Sequence, residues 1–343
     1  MPLVTPPCTP GALGLLVPPM VPPAVPDPQN PTIGTTSVPP LGSTAGLSRF
    51  CADAEEAGAT AIWASDHLFW RQPTIECMTA VSVAATATRS AVLGTCVLQL
   101  PMRSAAAVAK QASTLQLLSG GRFVLGVGVG SHAEEYVLAG AEFSRRGRRM
   151  DDGLVALRSA WATAAGPSPG YRMEPATTVP VWIGGASPAA IRRAAAFGDG
   201  WVPLFVGPER FGELRNRLHE EAAAHGRNPD DITAAVVIAV SVGTDTARAA
   251  ANGLGWLSSL YGIAPKAFAR HLVAGSPAAC ADAAARYHAA GASHVVVMVA
   301  GDDAGDQFAS LADALGVTGR AAASERARAG SAAPAPEMAG VGG

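Results

Sequence analysis

Short apolar runs recur along the chain, and between them small and apolar residues return at helical spacing. Eight runs stand out: "ALGLLV" (12–17), "ATAIWA" (59–64), "AVLGTCVLQL" (91–100), "RFVLGVGV" (122–129), "VPVWIG" (179–184), "DGWVPLF" (199–205), "ITAAVVIAVSV" (232–242) and "SHVVVMVA" (293–300). Helical stretches follow nearly all of them, among them 44–57, 105–118, 148–161, 188–197 and 208–225. The runs are apolar at successive positions, so both faces of each strand must be covered, as in a parallel sheet flanked by helices. Eight βα units in this length predict an α/β fold, a (β/α)8 TIM barrel with insertions. An open doubly wound sheet is the second choice.

Composition supports one large core. Of 343 residues, 49% are hydrophobic and 15% charged, and the mean hydropathy is +0.23. No apolar run approaches the roughly 18–20 residues of a membrane span. The net charge of −2 gives no basic footprint for nucleic acid. Five scattered cysteines without a CxxC pair, and no Lys or Arg beside Met1, predict reduced thiols in a cytoplasmic protein. Thirteen of the 27 prolines fall in the first 40 residues, so Pro18 to Pro40 is expected to be extended loop. The expected division is a flexible N-terminus (1–10), a barrel (11–318) and a disordered Ala/Gly/Pro-rich tail (319–343).

In such a barrel chemistry gathers where strands end, and "SDHLFW" (65–70) follows the second strand. His67 is the side chain suited to exchanging a proton near neutral pH, and a carboxylate such as Asp66 can fix its tautomer. The structural alternative makes Asp66 a helix cap and His67 an ordinary loop residue. In "GRFVLGVGVGSHAEEY" (121–136), Gly126, Gly128 and Gly130 allow close backbone approach, either to a cofactor or to neighbouring strands. Ser131 and Glu134 fit a capping box for the next helix. The run is not a dinucleotide fingerprint, because GxGxxG needs glycine where Ser131 stands. In "VPVWIGGASPAAIRRAA" (179–195), a strand ends in Gly184-Gly185, and Ser187 with Pro188 can open a helix whose amides face a phosphate. The arginines of "SRRGRRM" (144–150) read first as structural ion pairs to Asp151 or Asp152. No histidine pair has metal-ligand spacing, so no metal site is expected.

Taken together, "GATAIWASDHLF", "RSAVLGTCVLQLPMRSAAAVAKQASTLQLLSGGRFVLGVGVG", "RRGRRMDDGLVALRSAW" and "VPVWIGGASPAAIRRAAAFGDGWVP" resemble the bacterial luciferase-like family over roughly 11–303. The closest likeness is to its actinobacterial branch that uses the deazaflavin coenzyme F420 in place of FMN.

That resemblance implies an oxidoreductase moving hydride between coenzyme F420 and a small organic substrate, with His67 and Asp66 beside the ring. It implies a non-prolyl cis peptide at Cys96-Val97 bracing the ring, and Gly128 and Gly130 lining it. Gly184, Gly185, Ala186 and Ser187 would hold the cofactor phosphate. Trp63, Phe69 and Trp70 would be either apolar walls or, equally, buried core aromatics, and family members often form homodimers. An FMN-dependent two-component monooxygenase is the alternative, and a non-catalytic cofactor-binding protein a more distant one. One departure is visible: sugar-phosphate dehydrogenases of this branch carry a catalytic glutamate where this chain has Ser131, so glucose-6-phosphate oxidation is not expected.

Overall fold

Each of the eight apolar runs forms a strand in the computed structural model, which describes residues 12–17, 42–162, 172–175 and 177–317. The expectations for 1–10, 18–40 and 319–343 lie outside these residues. The first half of the chain runs β1 (Ala12–Leu16), α1 (Thr44–Glu56), β2 (Ala61–Ala64), α2 (Cys77–Ala87), β3 (Val92–Thr95), β4 (Leu98–Gln99), α3 (Ala105–Leu118), β5 (Phe123–Gly128), α4 (Ala133–Leu138) and α5 (Arg146–Ala162). The second runs β6 (Val181–Gly184), α6 (Pro188–Phe197), β7 (Gly200–Val202), α7 (Pro208–Ala224), β8 (Thr233–Val242), α8 (Thr246–Tyr261), β9 (Leu272–Gly275), α9 (Pro277–Ala289), β10 (His294–Val299) and α10 (Ala304–Ala314).

The strand pairs are parallel, and β10 bonds both β1 and β8, which closes the sheet into an eight-stranded TIM barrel. The open doubly wound sheet is therefore excluded. β3 and β4 are one barrel strand, interrupted at a cis Cys96-Val97 peptide bond. β9 is an addition. It joins β8 only over Ala239–Val242, above the point where β7 has ended.

Alternation along each strand explains why the runs are apolar throughout. Phe123, Leu125 and Val127 of β5 point outward into the layer under the helices, with Leu154, Phe211 and Phe308. Trp63, Val124, Trp182, Val237 and Met298 belong to a second cluster, inside the barrel. The two indoles fill that interior, with ring centroids 4.8 Å apart. Among the described residues no helix is long and apolar enough to cross a membrane.

Candidate functional site

β2 ends at Ala64, and the chain leaves the barrel at its C-terminal mouth carrying Ser65, Asp66 and His67. The imidazole Nδ1 of His67 lies 2.9 Å from Glu135 Oε2 on α4. Glu135 is 2% exposed, and its other oxygen accepts the backbone N–H groups of Leu68 at 3.0 Å and Phe69 at 3.2 Å. Gln99 Nε2 reaches both oxygens at 3.3–3.4 Å. Burial opposes ionisation of Glu135, but the hydrogen bonds from His67, Phe69 and Gln99 outweigh it and hold its pKa below the ordinary carboxylate value. A carboxylate that accepts from Nδ1–H leaves the lone pair on Nε2, and Nε2 has no protein partner among the described residues. His67 lines a cavity of about 40 Å³.

The expected pairing of Asp66 with His67 is corrected by this geometry. Consecutive residues at a strand end project to different sides, and Asp66 turns inward, 3% exposed. Its Oδ1 binds Arg103 Nη2 at 2.6 Å, and its Oδ2 accepts the Gln99 backbone N–H at 2.9 Å. Arg103 also reaches Glu76 at 3.2 Å. Asp66, Glu76 and Cys77 offer ligand atoms within 4.8 Å of one another, but the guanidinium of Arg103 is bonded to both carboxylates. Asp66 is thus an anchor that ties the loop to β4, and Glu135 is the residue that orients His67. Sequence reasoning missed Glu135 because it assigned the neighbouring Glu134 to a capping box with Ser131. That box does not form: α4 has His132 at its N-cap with no side-chain cap, and Ser131 Oγ lies 3.1 Å from His132 Nδ1. Burial of Glu135 and Tyr136 follows from how α4 docks, which its local pattern does not fix.

The glycine segments divide into two kinds. A Cβ on Gly128 would lie 2.5 Å from Val97 Cγ2, and one on Gly184 2.9 Å from Val97 Cγ1. Both glycines therefore make room for Val97, which for Gly128 is the packing alternative left open above. Gly130 holds φ at +67°, and a Cβ there would meet Gln99 Oε1, a buried oxygen without a partner. Burial pushes the Cys96 thiol up to about 12, so it is no nucleophile at neutral pH.

Beyond Gly184, the segment Gly185 to Ser187 is partly or fully exposed. Gly185 has φ +112°, a conformation that favours glycine, and its carbonyl accepts the Trp201 indole N–H at 2.8 Å. Ser187 Oγ caps α6 by accepting from Ala190 N at 3.2 Å. The amides of Ala186, Ser187 and Ala189 meet no carbonyl among the described residues. Together with the N-terminus of α6 they form a cradle that fits a phosphate.

The aromatic expectations separate as well. Trp63 is fully buried inside the barrel, where its indole N–H donates to His294 Nε2 at 3.2 Å, so it is core rather than wall. Phe69 is half exposed. Trp70 lies against His67, stacked at 3.6 Å between centroids, with His132 edge-on at 4.5 Å. Burial first, then the neighbouring His67, lower the pKa of His132. Among the arginines of 145–149, Arg148 lies 3.9 Å from Asp152 and Arg149 donates to the Pro101 carbonyl at 2.7 Å, while Asp151 is bonded by Arg193 instead.

A closed parallel barrel with an oriented histidine and free amide N–H groups at a helix N-terminus has the architecture of an α/β barrel enzyme. The chain belongs to the luciferase-like monooxygenase family, whose model matches residues 25–261. It is similar to the phthiodiolone/phenolphthiodiolone dimycocerosates ketoreductase of Mycobacterium bovis, with 28% identity over 197 residues, 52% of this chain and 51% of that protein. The chain spans about half the length of the curated relatives it matches. In fold it is similar to an F420-dependent secondary alcohol dehydrogenase in complex with an F420-acetone adduct, with TM-score 0.70 and 17% identity over 79% of this chain and 94% of that one. It is also similar to a type II Baeyer-Villiger monooxygenase of Pseudomonas putida in complex with FMN, with TM-score 0.63 and 17% identity over 80% and 91%. Flavin and deazaflavin proteins thus share this fold.

Proposed function

We propose that this protein is a coenzyme F420-dependent oxidoreductase that transfers hydride between the deazaflavin and a small organic substrate. The observation that carries the reading is His67 at the barrel mouth, with Nδ1 on buried Glu135 and Nε2 unpartnered beside the cavity. Ala186, Ser187 and Ala189 would bind the cofactor phosphate through their amides, and the Cys96-Val97 segment with Gly130 would lie against the ring. When bound, the deazaflavin supplies a carbon that gives or takes two electrons as hydride. Glu135 fixes the imidazole tautomer, so His67 Nε2 takes up or delivers the proton that balances the substrate oxygen. Trp70 holds the imidazole plane by stacking and excludes water from one of its faces.

FMN-dependent oxygenation on the same barrel is the second reading, supported by the FMN-binding protein of the same fold. Titration of the purified chain with coenzyme F420 and, separately, FMN, followed by tryptophan quenching, distinguishes the two. Tighter binding of F420, lost in Ala186→Asp but kept in His67→Ala, is the expected outcome. Ala186 is preferred to Gly185 for this test because the +112° φ of Gly185 strains any side chain. Preference for FMN with oxygen consumption would replace the proposal with the monooxygenase reading, and binding of neither would remove both.

A further inference from the structure

α8 packs Leu257 and Trp256 against the cluster inside the barrel, and its two halves face different cavities. Its last turns line the small cavity beside His67. Its first turns line a larger one of about 770 Å³, whose other wall is the end of β8, the end of β10 and the start of α10. That volume falls within the range of about 300–1,000 Å³ usual for small-molecule sites. Trp256 borders both cavities.

Ser241 of β8 lines the larger cavity and is 2% exposed, and its hydroxyl has no hydrogen-bond partner among the described residues. A buried hydroxyl left unpaired is costly, so a ligand atom that bonds it gains. Asp302 and Asp303 stand exposed at the rim, and neither makes an ion pair among the described residues. Asp303 is the N-cap of α10 at φ +57°, yet its side chain makes no cap, so the helix does not use this carboxylate. Gln307 holds the rim in place: Oε1 accepts the Val242 N–H at 2.8 Å, and Nε2 donates to the Asp302 carbonyl at 2.8 Å. Across the cavity, Asp245, Arg248, Asn252 and Trp256 recur at three- and four-residue spacing along one face of α8. Asp245 caps that helix by accepting the Arg248 N–H at 3.1 Å. Three carboxylates and one guanidinium leave the lining with a formal charge of −2.

We infer that this cavity is a binding site for an aliphatic ammonium ligand, with Asp302 and Asp303 meeting the charge and the Ser241 hydroxyl accepting an N–H. An ammonium group carries three donors and no acceptor, which suits carboxylates and a hydroxyl whose lone pairs are free. The Trp256 ring adds an apolar surface for the chain and a face that attracts a cation. A neutral polyol would leave the two rim carboxylates without a counter-charge. A phosphate or carboxylate would be repelled, which separates this cavity from the amides of Ala186 to Ala189. Because Trp256 borders both cavities, a chain held here by its charged end points towards His67. The assignment stands on the cavity alone and does not depend on which cofactor the barrel uses.

Three probes of one chain length test it, each titrated into the full chain without cofactor and followed by saturation-transfer NMR: butane-1,4-diamine, butane-1,4-diol and butanedioate. The diamine is expected to bind best, and to weaken when salt is raised from about 50 mM to about 500 mM. Asp302→Asn with Asp303→Asn should weaken it about tenfold, as two exposed ion pairs would. Ser241→Ala should weaken it about fivefold, the effect of one hydrogen bond. Arg248→Gln removes a like charge and should tighten it by about threefold. This variant gains affinity, so misfolding cannot imitate the result. Diol or butanedioate binding as tightly as the diamine would overturn the inference, as would a diamine affinity unaltered in the aspartate or serine variants or weakened in Arg248→Gln. Diamine binding by a chain that takes up neither F420 nor FMN would remove the proposed function and leave this site standing.

Discussion

His294 stands inside the barrel, 1% exposed, and accepts the Trp63 indole N–H on Nε2. An indole nitrogen only donates, so the imidazole proton must sit on Nδ1, which has no acceptor. Burial first, then the charge of His288, push its pKa from 6.5 down to about 3. The folded state keeps the ring neutral where the unfolded chain would protonate it, so stability is full above 6.5 and falls as the pH drops. The slope is up to ~1.4 kcal/mol per pH unit, or ~5 kcal/mol in all once the pH nears 3. His294→Gln keeps an acceptor for the indole but has no titrating proton. Urea unfolding of this variant is expected to lose about one proton of pH dependence between about pH 6.5 and pH 4. An unaltered slope would assign the acid sensitivity to other groups. None of this was legible in "SHVVVMVA", which shows a histidine at a strand start and no sign that the ring points inward. The same holds for Asp66 and His67: adjacency in sequence suggested a pair, and the strand end sends them to Arg103 and Glu135.

Strands and helices were more legible than their neighbours. The eight runs became the eight barrel strands, and the 105–118 and 188–197 helices agree with α3 and α6 residue for residue. β9 was not read, because "LVAG" is short and three of its four residues are only half-buried. What the runs did not disclose was which glycines are spacers. A Cβ on Gly94 would stand 2.3 Å from Trp63 Cζ3, inside a layer already filled by two indoles. Gly255, on the exposed face of α8, has nothing within 4 Å of its Cβ position. One substitution should therefore have opposite signs at the two sites. Gly94→Ala is expected to destabilise by ~1–3 kcal/mol through overpacking, and Gly255→Ala to stabilise by ~1 kcal/mol through helix propensity. Urea midpoints at unchanged m-value are the measurement. Loss of stability at both positions would mean that α8 needs its glycine for something other than space.

Closure of the barrel joins residues far apart in the chain, Ala12 pairing with His294. The parallel barrel could be inferred from the repeated βα pattern, but the quality of its closing seam could not, because it depends on what covers β10 and β1. On the β10 and β8 side that cover is α10, which packs against α1 and α9 and buries Phe308 and Leu311 completely. Each such side chain contributes ~1.5–3 kcal/mol, so the pair is worth ~3–6 kcal/mol against a typical net stability of ~5–15 kcal/mol. Truncation after Asp303 should therefore remove much of the margin and leave a chain that unfolds at low urea or fails to purify folded. Truncation after Val317 retains α10 and removes a stretch with no aromatic residue and few large apolar ones. That chain is expected to keep the full-length midpoint within experimental error. Equal destabilisation in both truncations would mean that residues beyond Val317 contribute to the fold, against the division drawn from composition. A stable Asp303 truncation would instead mean that the hydrogen-bonded seam of β1, β10 and β8 closes the barrel without its helical cover.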